Sequence, residues 1–387
     1  MSKLLKIALN TSRSMAIPIF NFLIAMIGVS YLGKAFWGEM VQLLLWIYFI
    51  AFLTNFGNKD YLLRSYSENP SKINTLFGTV LFTRSVFLIF SLLFFFFFPV
   101  EIALWSLLLT IFIFLYQSLE SLVIYKQTFL VQLIAEIIGF TIITITLIYT
   151  ENLQIETLLK IYSLSFFIKL IIVLSSLKID YSQVKFQFSK DSLLKLTPFF
   201  LIGFSGWLVS KIDLYLVTIF LPKEQLASYQ LLITAFLMIQ AFAGFIMYPF
   251  SKHIYRLNNK SIKKIKQILQ LASIPIIGVS TFIIWYVFEQ KIQLNLQTEL
   301  YYLGAILSVP VYFYIVDVFQ LFKNGKENTI MKINFTIALL NLILIVFLVQ
   351  LFKLKGVLIS MIISQFTLLI LYKRSAVITN GNLKKIK

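Results

Sequence analysis

The chain has 387 residues, of which 59% are hydrophobic and only 13% charged, and its formal net charge at pH 7 is +18. Soluble domains carry about 25% charged residues, so a water-soluble fold explains this composition poorly. The chain has no cysteine and a single histidine, His253, which excludes disulfides and thiolate chemistry and predicts no metal site and no cofactor. Basic residues lie mainly between apolar stretches, so membrane topology explains the charge better than nucleic-acid binding does.

Apolar stretches of about 20 residues, long enough to cross a hydrocarbon core of about 30 Å as helices, recur from one end of the chain to the other. We predict twelve spans, at residues 14–33, 38–57, 77–98, 100–124, 128–149, 157–177, 196–220, 226–249, 267–288, 299–321, 330–352 and 355–373. The first stretch follows three basic residues, as in a signal peptide. Because it is long enough to span and no convincing small-residue cleavage site follows, we predict an uncleaved first helix.

The distribution of lysine and arginine between the predicted loops indicates the orientation. With the N-terminus in the cytoplasm, the cytoplasmic segments hold 25 of the 34 basic residues and the opposite side holds 5. This assignment places both termini in the cytoplasm. A basic run at residues 260–266 is expected to fix the orientation and to contact anionic headgroups.

Two segments suggest an internal repeat. Residues 31–40 and 220–229 align without gaps, 189 positions apart, with Leu32 opposite Leu221 and Lys34 opposite Lys223. We therefore predict two halves of six spans each, residues 1–190 and 191–387. Halves with an even number of spans have the same orientation, and we expect a cavity between the two bundles.

Residues around these two hairpins resemble polysaccharide-exporting flippases of the Wzx type, which share a superfamily with the multidrug and toxin extrusion (MATE) transporters. In the first half the similar residues are Leu32-Gly33, Phe36, Gly38, the run Phe52-Leu-Thr-Asn-Phe-Gly57 and Tyr61-Leu-Leu-Arg64. In the second half they are Ser210-Lys-Ile-Asp213, Phe220-Leu221 and Ala227-Ser-Tyr229. The chain departs from the family at Asn58, where a small apolar residue is more usual, and at Pro222, where glycine is frequent.

The resemblance implies an all-α polytopic membrane protein, a MATE-like V-shaped bundle that alternates between inward-open and outward-open states. It implies a bacterial inner-membrane flippase for an oligosaccharide linked through diphosphate to undecaprenol, such as an O-antigen repeat unit. The implied partners are this lipid-linked oligosaccharide and membrane lipids, with a polysaccharide polymerase complex as an optional third. No enzymatic activity is expected.

Charged side chains inside spans are costly and are therefore candidates for function. Arg84, Lys169 and Lys211 are the candidates for binding the anionic substrate, with snorkelling to the interface as the alternative for Arg84. Asp213 and Glu136 are the candidates for coupling to a proton or sodium ion, with structural pairing to a cation as the alternative. We expect Lys169→Ala to impair glycan export without lowering protein abundance.

Other charged residues carry weaker functional signals. Glu120, Lys160 and Asp317 lie near predicted span ends, where ordinary interfacial positions explain them, and His253 is expected to be solvated. Two other kinds of protein compete with a flippase. A cation-coupled exporter of small molecules would share the fold, whereas a membrane polymerase or acyltransferase would need a large external loop or an accessible histidine with a polar partner.

Overall fold

The computed structural model describes residues 3–150, 152–254 and 259–385, and these residues are helical almost throughout. Within these ranges, twelve helices are long and apolar enough to cross a membrane, and they confirm the twelve predicted spans. The helices are α1 (Lys3–Leu32), α2 (Lys34–Asn55), α3 (Ile73–Ser85), α4 (Val100–Ser118), α5 (Phe129–Tyr149), α6 (Ile155–Ser176), α7 (Lys190–Phe220), α8 (Lys223–Ile254), α9 (Asn259–Tyr286), α10 (Thr298–Lys323), α11 (Glu327–Phe352) and α12 (Leu354–Lys385).

Several spans are longer or less regular than the sequence suggests. The third span continues beyond α3 as a 3₁₀ helix, Val86–Leu93, and a last turn, Phe94–Phe97. Short helices follow α2 and α4, at Asn58–Glu68 and Glu120–Lys126, and lengthen those spans. The long apolar runs therefore set the number of spans, whereas local packing sets where each helix bends.

The chain forms two compact units, Met1–Gly203 and Phe204–Lys387. In the first unit α4 and α5 both pack against α6, and in the second unit α10 and α12 pack together, as do α11 and α12. The division lies inside α7, so the first part of that helix belongs to the first unit. The predicted boundary after residue 190, where α7 begins, stays a prediction.

Three pairs of helices begin at similar offsets in the two halves. Helices α2 and α8 begin at residues 34 and 223, which are 189 positions apart, as in the aligned hairpins. Helices α4 and α10 begin at 100 and 298, and α5 and α11 begin at 129 and 327, so both pairs are 198 positions apart. We use these offsets to compare residues of the two halves.

A break after α2 brings the backbone of α7 close. Phe56 and Gly57, which follow the last residue of α2, both adopt left-handed backbone angles, with φ of 35° and 72°. A Cβ atom on Gly57 would lie 2.8 Å from the backbone nitrogen of Phe200 and 2.9 Å from the carbonyl oxygen of Leu196. Only glycine fits there, because both its φ and its contact with α7 exclude a side chain.

The segment between α6 and α7 lies along the first part of α3. The hydroxyl of Thr75 donates to the Gln183 carbonyl at 2.9 Å, and the backbone N–H of Ser189 donates to the Thr83 hydroxyl at 3.0 Å. These two threonines lie eight residues apart on one face of α3. They form hydrogen bonds with backbone groups that would otherwise lack partners in an extended segment.

Two sequence assignments change in detail. Arg13 was assigned to the segment before the first helix, but it lies inside α1 and is buried. Residues 260–266 form the first turns of α9 and not a loop, because lysine is compatible with an α-helix. Lys263 and Lys264 in this stretch are exposed. The side chain of His253 lies outside the described residues.

Candidate functional site

Glu136 and Lys169 form a buried ion pair in the first unit. Lys169 Nζ lies 2.8 Å from Glu136 Oε2, and the two residues are only 7% and 6% exposed. Glu136 projects from α5 and Lys169 from α6. The structure thus brings together one residue predicted to bind substrate and one predicted to couple ions.

Aromatic side chains complete the surroundings of this pair. The hydroxyl of Tyr116, on α4, donates to Glu136 Oε1 at 2.7 Å. Lys169 Nζ lies 3.9 Å from the ring centroid of Phe166 and 4.9 Å from that of Tyr116, distances at which an ammonium is attracted to the ring face. Both carboxylate oxygens and the ammonium therefore have partners, which offsets part of the cost of burying two charges.

A glycine makes room for the lysine. A Cβ atom on Gly139 would lie 2.6 Å from Lys169 Cδ and 2.8 Å from Ser165 Oγ. Ser165 also donates to the Gly139 carbonyl at 3.3 Å, so α5 and α6 approach closely at this level. The absent side chain lets the lysine stem pass between the helices to Glu136.

Arg84 is enclosed at the end of α2, where its side chain is 1% exposed. Its Nη1 donates to the carbonyls of Thr54 and Asn55 at 3.2 and 3.0 Å, and its Nη2 donates to the Ser118 hydroxyl at 2.7 Å. The guanidinium carbon lies 5.2 Å from the Phe114 ring centroid. The side chain does not snorkel to an interface in this structure.

The Arg84 guanidinium caps α2 at the position where the last carbonyls of the helix lack intrahelical partners. A cation at a helix C-terminus is also stabilised by the helix dipole. Every hydrogen-bond partner of Arg84 is electrically neutral, so its positive charge is not cancelled by a carboxylate in direct contact. Its predicted contact with substrate stays a prediction.

Asp213 lies in the second unit, on α7, and is fully buried. Its Oδ2 accepts a hydrogen bond of 2.6 Å from the Tyr229 hydroxyl on α8, which also lies 2.9 Å from Met361 Sδ. Its Oδ1 has no hydrogen-bond partner among the residues that the structure describes. A buried carboxylate with one open oxygen can take up a proton or a small cation.

Lys211 lies two residues before Asp213 and is half-buried. Residues two apart point to different faces of a helix, and the described residues contain no ion pair between the two. The two side chains therefore form no direct ion pair, and whether their charges offset each other stays a prediction.

Charges near the span ends have partners close by. Glu120 Oε1 lies 3.1 Å from Lys59 Nζ and 3.8 Å from the Arg13 guanidinium, which also donates to Gln132 at 2.7 Å. Other pairs of this kind join Lys266 with Asp317 at 2.6 Å and Lys160 with Glu156 at 2.5 Å. These pairs favour structural roles for Glu120, Asp317 and Lys160.

Sequence reasoning missed the two tyrosines that donate to the buried carboxylates, Tyr116 and Tyr229. A tyrosine within an apolar span carries a hydroxyl that needs a partner, and that signal could have indicated them. No group of three or more metal-ligating side chains is present among the residues that the structure describes.

The structure is similar to several solved transporters. The lipid II flippase MurJ in an inward closed conformation gives a TM-score of 0.71 at 14% identity, over 95% of this chain and 87% of the MurJ chain. An inward-facing multidrug resistance MATE family transporter of the MOP superfamily gives 0.67 at 13% identity, over 100% of this chain and 99% of that one. A eukaryotic MATE transporter gives 0.66 at 14% identity, over 96% and 93% of the two chains. No protein-family model and no curated protein sequence matches the chain.

At these identities the likeness establishes the fold and leaves the cargo open, because one fold serves several functions. It nevertheless covers 87% or more of each chain compared, so it is not confined to a fragment of the chain. The chain is an all-α, multi-pass membrane protein with the fold that MurJ and the MATE transporters share.

Proposed function

We propose that the protein is a flippase that moves a lipid-linked oligosaccharide across a bacterial inner membrane by alternating access. Its cargo is a surface-polysaccharide repeat unit, such as an O-antigen unit, on undecaprenyl diphosphate. Both termini lie in the cytoplasm, and the protein transports without catalysing a reaction. Membrane lipids surround it, and a polysaccharide polymerase complex is a candidate partner on the far side.

The observation that carries this proposal is how the basic side chains inside the membrane spans are paired. Arg84 has only neutral hydrogen-bond partners, and Lys211 forms no ion pair among the described residues. Lys169, by contrast, is neutralised by Glu136. Neither of these two cations is in direct contact with a carboxylate among the described residues, which favours an anionic cargo such as a diphosphate. The likeness to the lipid II flippase MurJ supports the same class of cargo.

The energy source that fits this arrangement is a coupling ion at Asp213. Its open Oδ1 is available to a proton or sodium ion, whereas both oxygens of Glu136 already have partners. Asp213 is therefore the stronger of the two candidates for ion coupling. Replacement by asparagine keeps the shape and removes the charge, so Asp213→Asn should abolish any dependence of transport on the ion gradient.

A second candidate function is export of cationic small molecules coupled to an ion gradient. Asp213 also favours this function, because a buried carboxylate with an open oxygen can attract a cationic drug. The similarity to MATE transporters over nearly the full chain is consistent with it. The two functions differ in the charge of the cargo.

The test is deletion of the gene in its host, followed by analysis of lipid-linked intermediates and of drug tolerance. We expect undecaprenyl-linked units to accumulate on the cytoplasmic face, and the wild-type gene to reverse this. Normal surface glycan together with altered drug tolerance would favour the second function. Lys211→Gln should reproduce the accumulation, whereas Lys160→Gln, which removes a lysine from an exposed pair, serves as the matched control.

A further inference from the structure

A long stretch of 3₁₀ helix lies in the middle of the third span. The stretch, Val86–Leu93, has eight residues, whereas 3₁₀ runs longer than about four residues are uncommon. It has α-helix on both sides, α3 before it and Phe94–Phe97 after it. Because hydrogen bonds in a 3₁₀ helix have poorer geometry than those in an α-helix, a stretch of this length needs a cause.

The sequence of the stretch does not impose the 3₁₀ geometry. It reads Val-Phe-Leu-Ile-Phe-Ser-Leu-Leu and contains neither glycine nor proline, the residues that most often interrupt a helix. All of its residue types are compatible with an α-helix. The cause therefore lies in how the stretch is held by its neighbours.

Both ends of the stretch are fixed within the first unit. At the near end Arg84 donates to the last carbonyls of α2 and to Ser118 on α4. The ring of Phe87 stacks on Phe56, directly after α2, with centroids 4.6 Å apart. At the far end Phe94 is only 2% exposed. Eight residues cover about 16 Å as a 3₁₀ helix and about 12 Å as an α-helix, so fixed ends favour the longer form.

Burial between these ends repeats every three residues. Val86, Ile89 and Leu92 are 54, 63 and 49% exposed, whereas Ser91 and Phe94 are 0 and 2% exposed. Side chains three apart align in a 3₁₀ helix, so the first three form one exposed ridge. In an α-helix Leu92 would be turned by about 120° away from the face of Val86. The two forms therefore expose different side chains.

Turning the stretch carries little polar cost. Seven of its eight side chains are apolar. The eighth, Ser91, donates its hydroxyl to the Leu88 carbonyl of the same stretch at 2.5 Å and needs no partner on a neighbouring helix. Either face of the stretch can therefore meet lipid tails.

We propose that the third span has two states, with Val86–Leu93 a 3₁₀ helix while Arg84 caps α2 and an α-helix when that contact is lost. The conversion shortens the span by about 4 Å and turns its far end by about 160°. The contact between Arg84 and α2 sets which form is present. A span that changes its length supplies a movement that alternating access requires, whichever of the two cargoes is carried.

Spin labels on single cysteines test the two forms, because the chain has no cysteine of its own. A nitroxide is placed in turn at each position from 86 to 93 of the full-length protein in lipid nanodiscs. Its accessibility to oxygen is measured by electron paramagnetic resonance. We expect accessibility to follow a turn of about 120° per residue in the parent protein and about 100° per residue in Arg84→Met.

The matched control is Arg13→Met. Arg13 is also a buried arginine, 5% exposed, and it contacts Gln132 and Glu120, which lie outside the third span. We expect this variant to keep the pattern of the parent protein. An unchanged pattern in Arg84→Met would overturn the proposal, as would an α-helical pattern in the parent protein or in Arg13→Met.

An insertion tests the effect of length while Arg84 stays in place. Ten α-helical residues cover about 15 Å and end at a net rotation of about 280°, close to the 16 Å and 240° of eight 3₁₀ residues. Two alanines inserted between Leu88 and Ile89 therefore allow an α-helix with both ends where they are. We expect this variant to show the α-helical accessibility pattern and to keep the melting temperature of the parent protein.

The control for the insertion places two alanines between Leu342 and Ile343 in α11, which is a regular α-helix. There the insertion turns all following residues by about 200°, so we expect a melting temperature several degrees lower. Equal losses in the two insertion variants would contradict the proposal. A 3₁₀ pattern retained after the insertion at Leu88 would contradict it as well, even if Arg84→Met failed to fold.

Discussion

The two halves of the molecule, each considered by itself, place different chemistry at equivalent positions. In the first unit Tyr116 donates to Glu136, which pairs with Lys169. The residues 198 positions after Tyr116 and Glu136 are Tyr314 and Asn334. There the tyrosine on α10 is retained, but the carboxylate is replaced by a neutral amide.

Neutral hydrogen bonds satisfy the second-half cluster. The Tyr372 hydroxyl donates to Asn334 Oδ1 at 2.6 Å, and the Tyr314 hydroxyl bonds to Gln365 Oε1 at 3.0 Å. The rings of Tyr314 and Tyr372 pack with centroids 5.3 Å apart. The same three-helix arrangement therefore holds an ion pair in one half and amides with phenols in the other.

In the first hairpin of each half, it is the second half that has the carboxylate and the tyrosine, and the first half that lacks them. Asp213 and Tyr229 are bonded in the second unit, whereas the residues 189 positions earlier are Ile24 and Met40. Both are buried apolar side chains, 4% and 0% exposed. Among the described residues, each half thus has a buried carboxylate that accepts a hydrogen bond from a tyrosine, but on different helices. The comparison teaches that the two halves share a fold while their buried chemistry has diverged.

The largest effect is expected from breaking the charged cluster. Lys169→Met leaves the Glu136 carboxylate buried without its cation and should lower the free energy of unfolding by about 3–5 kcal/mol. This differs from the expectation from sequence alone, which predicted lost export at normal abundance. The double variant Glu136→Gln, Lys169→Met should recover most of the loss, as measured by denaturant titration in mixed micelles. Strictly additive single and double variants would mean that the pair is not coupled.

The second prediction compares the two equivalent tyrosines. Tyr116→Phe keeps the ring near Lys169 but removes a hydrogen bond to a carboxylate, which should cost about 1.5–3 kcal/mol. Tyr314→Phe removes a bond to a neutral amide and should cost about 0.5–1.5 kcal/mol. The same micelle titration checks both. A larger loss for Tyr314→Phe would contradict the conclusion that, of these two tyrosine clusters, only the one in the first half contains an ion pair.

The third prediction concerns the space for Lys169. Gly139→Ala places a methyl group against the lysine stem and should destabilise the protein by about 1–3 kcal/mol. The matched control is Gly278→Ala on α9, where a new Cβ meets nothing within 4 Å. That change should be neutral or stabilising by up to about 1 kcal/mol, since alanine favours helix more than glycine does. Melting temperatures of the purified variants distinguish the two.

The smallest effect is expected at the exposed pair of Lys160 and Glu156, four residues apart on α6. Solvent and mobile side chains weaken such pairs, so Lys160→Ala should change stability by no more than about 0.5 kcal/mol. This variant is the reference against which the effect of replacing the buried Lys169 is compared. A melting temperature as low as that of Lys169→Met would show that exposure does not separate the two pairs.

Much of the fold could be predicted from the sequence. Hydropathy is a local property, so runs of about 20 apolar residues gave twelve spans that the structure confirms. The hairpin alignment at residues 34 and 223 likewise anticipated two helices that begin 189 positions apart. The cost of burying charge pointed to Arg84, Glu136, Lys169, Lys211 and Asp213 without any structure.

The partners of these charges depended on the tertiary structure. Glu136 and Lys169 are 33 residues apart and meet only because α5 and α6 pack at Gly139 with particular rotations about their axes. The capping of α2 by Arg84 likewise depends on how neighbouring helices pack. Hydrophobicity determines that a segment lies in the membrane, whereas helix rotation and close approach decide which side chains touch, and no local pattern in the sequence encodes those contacts.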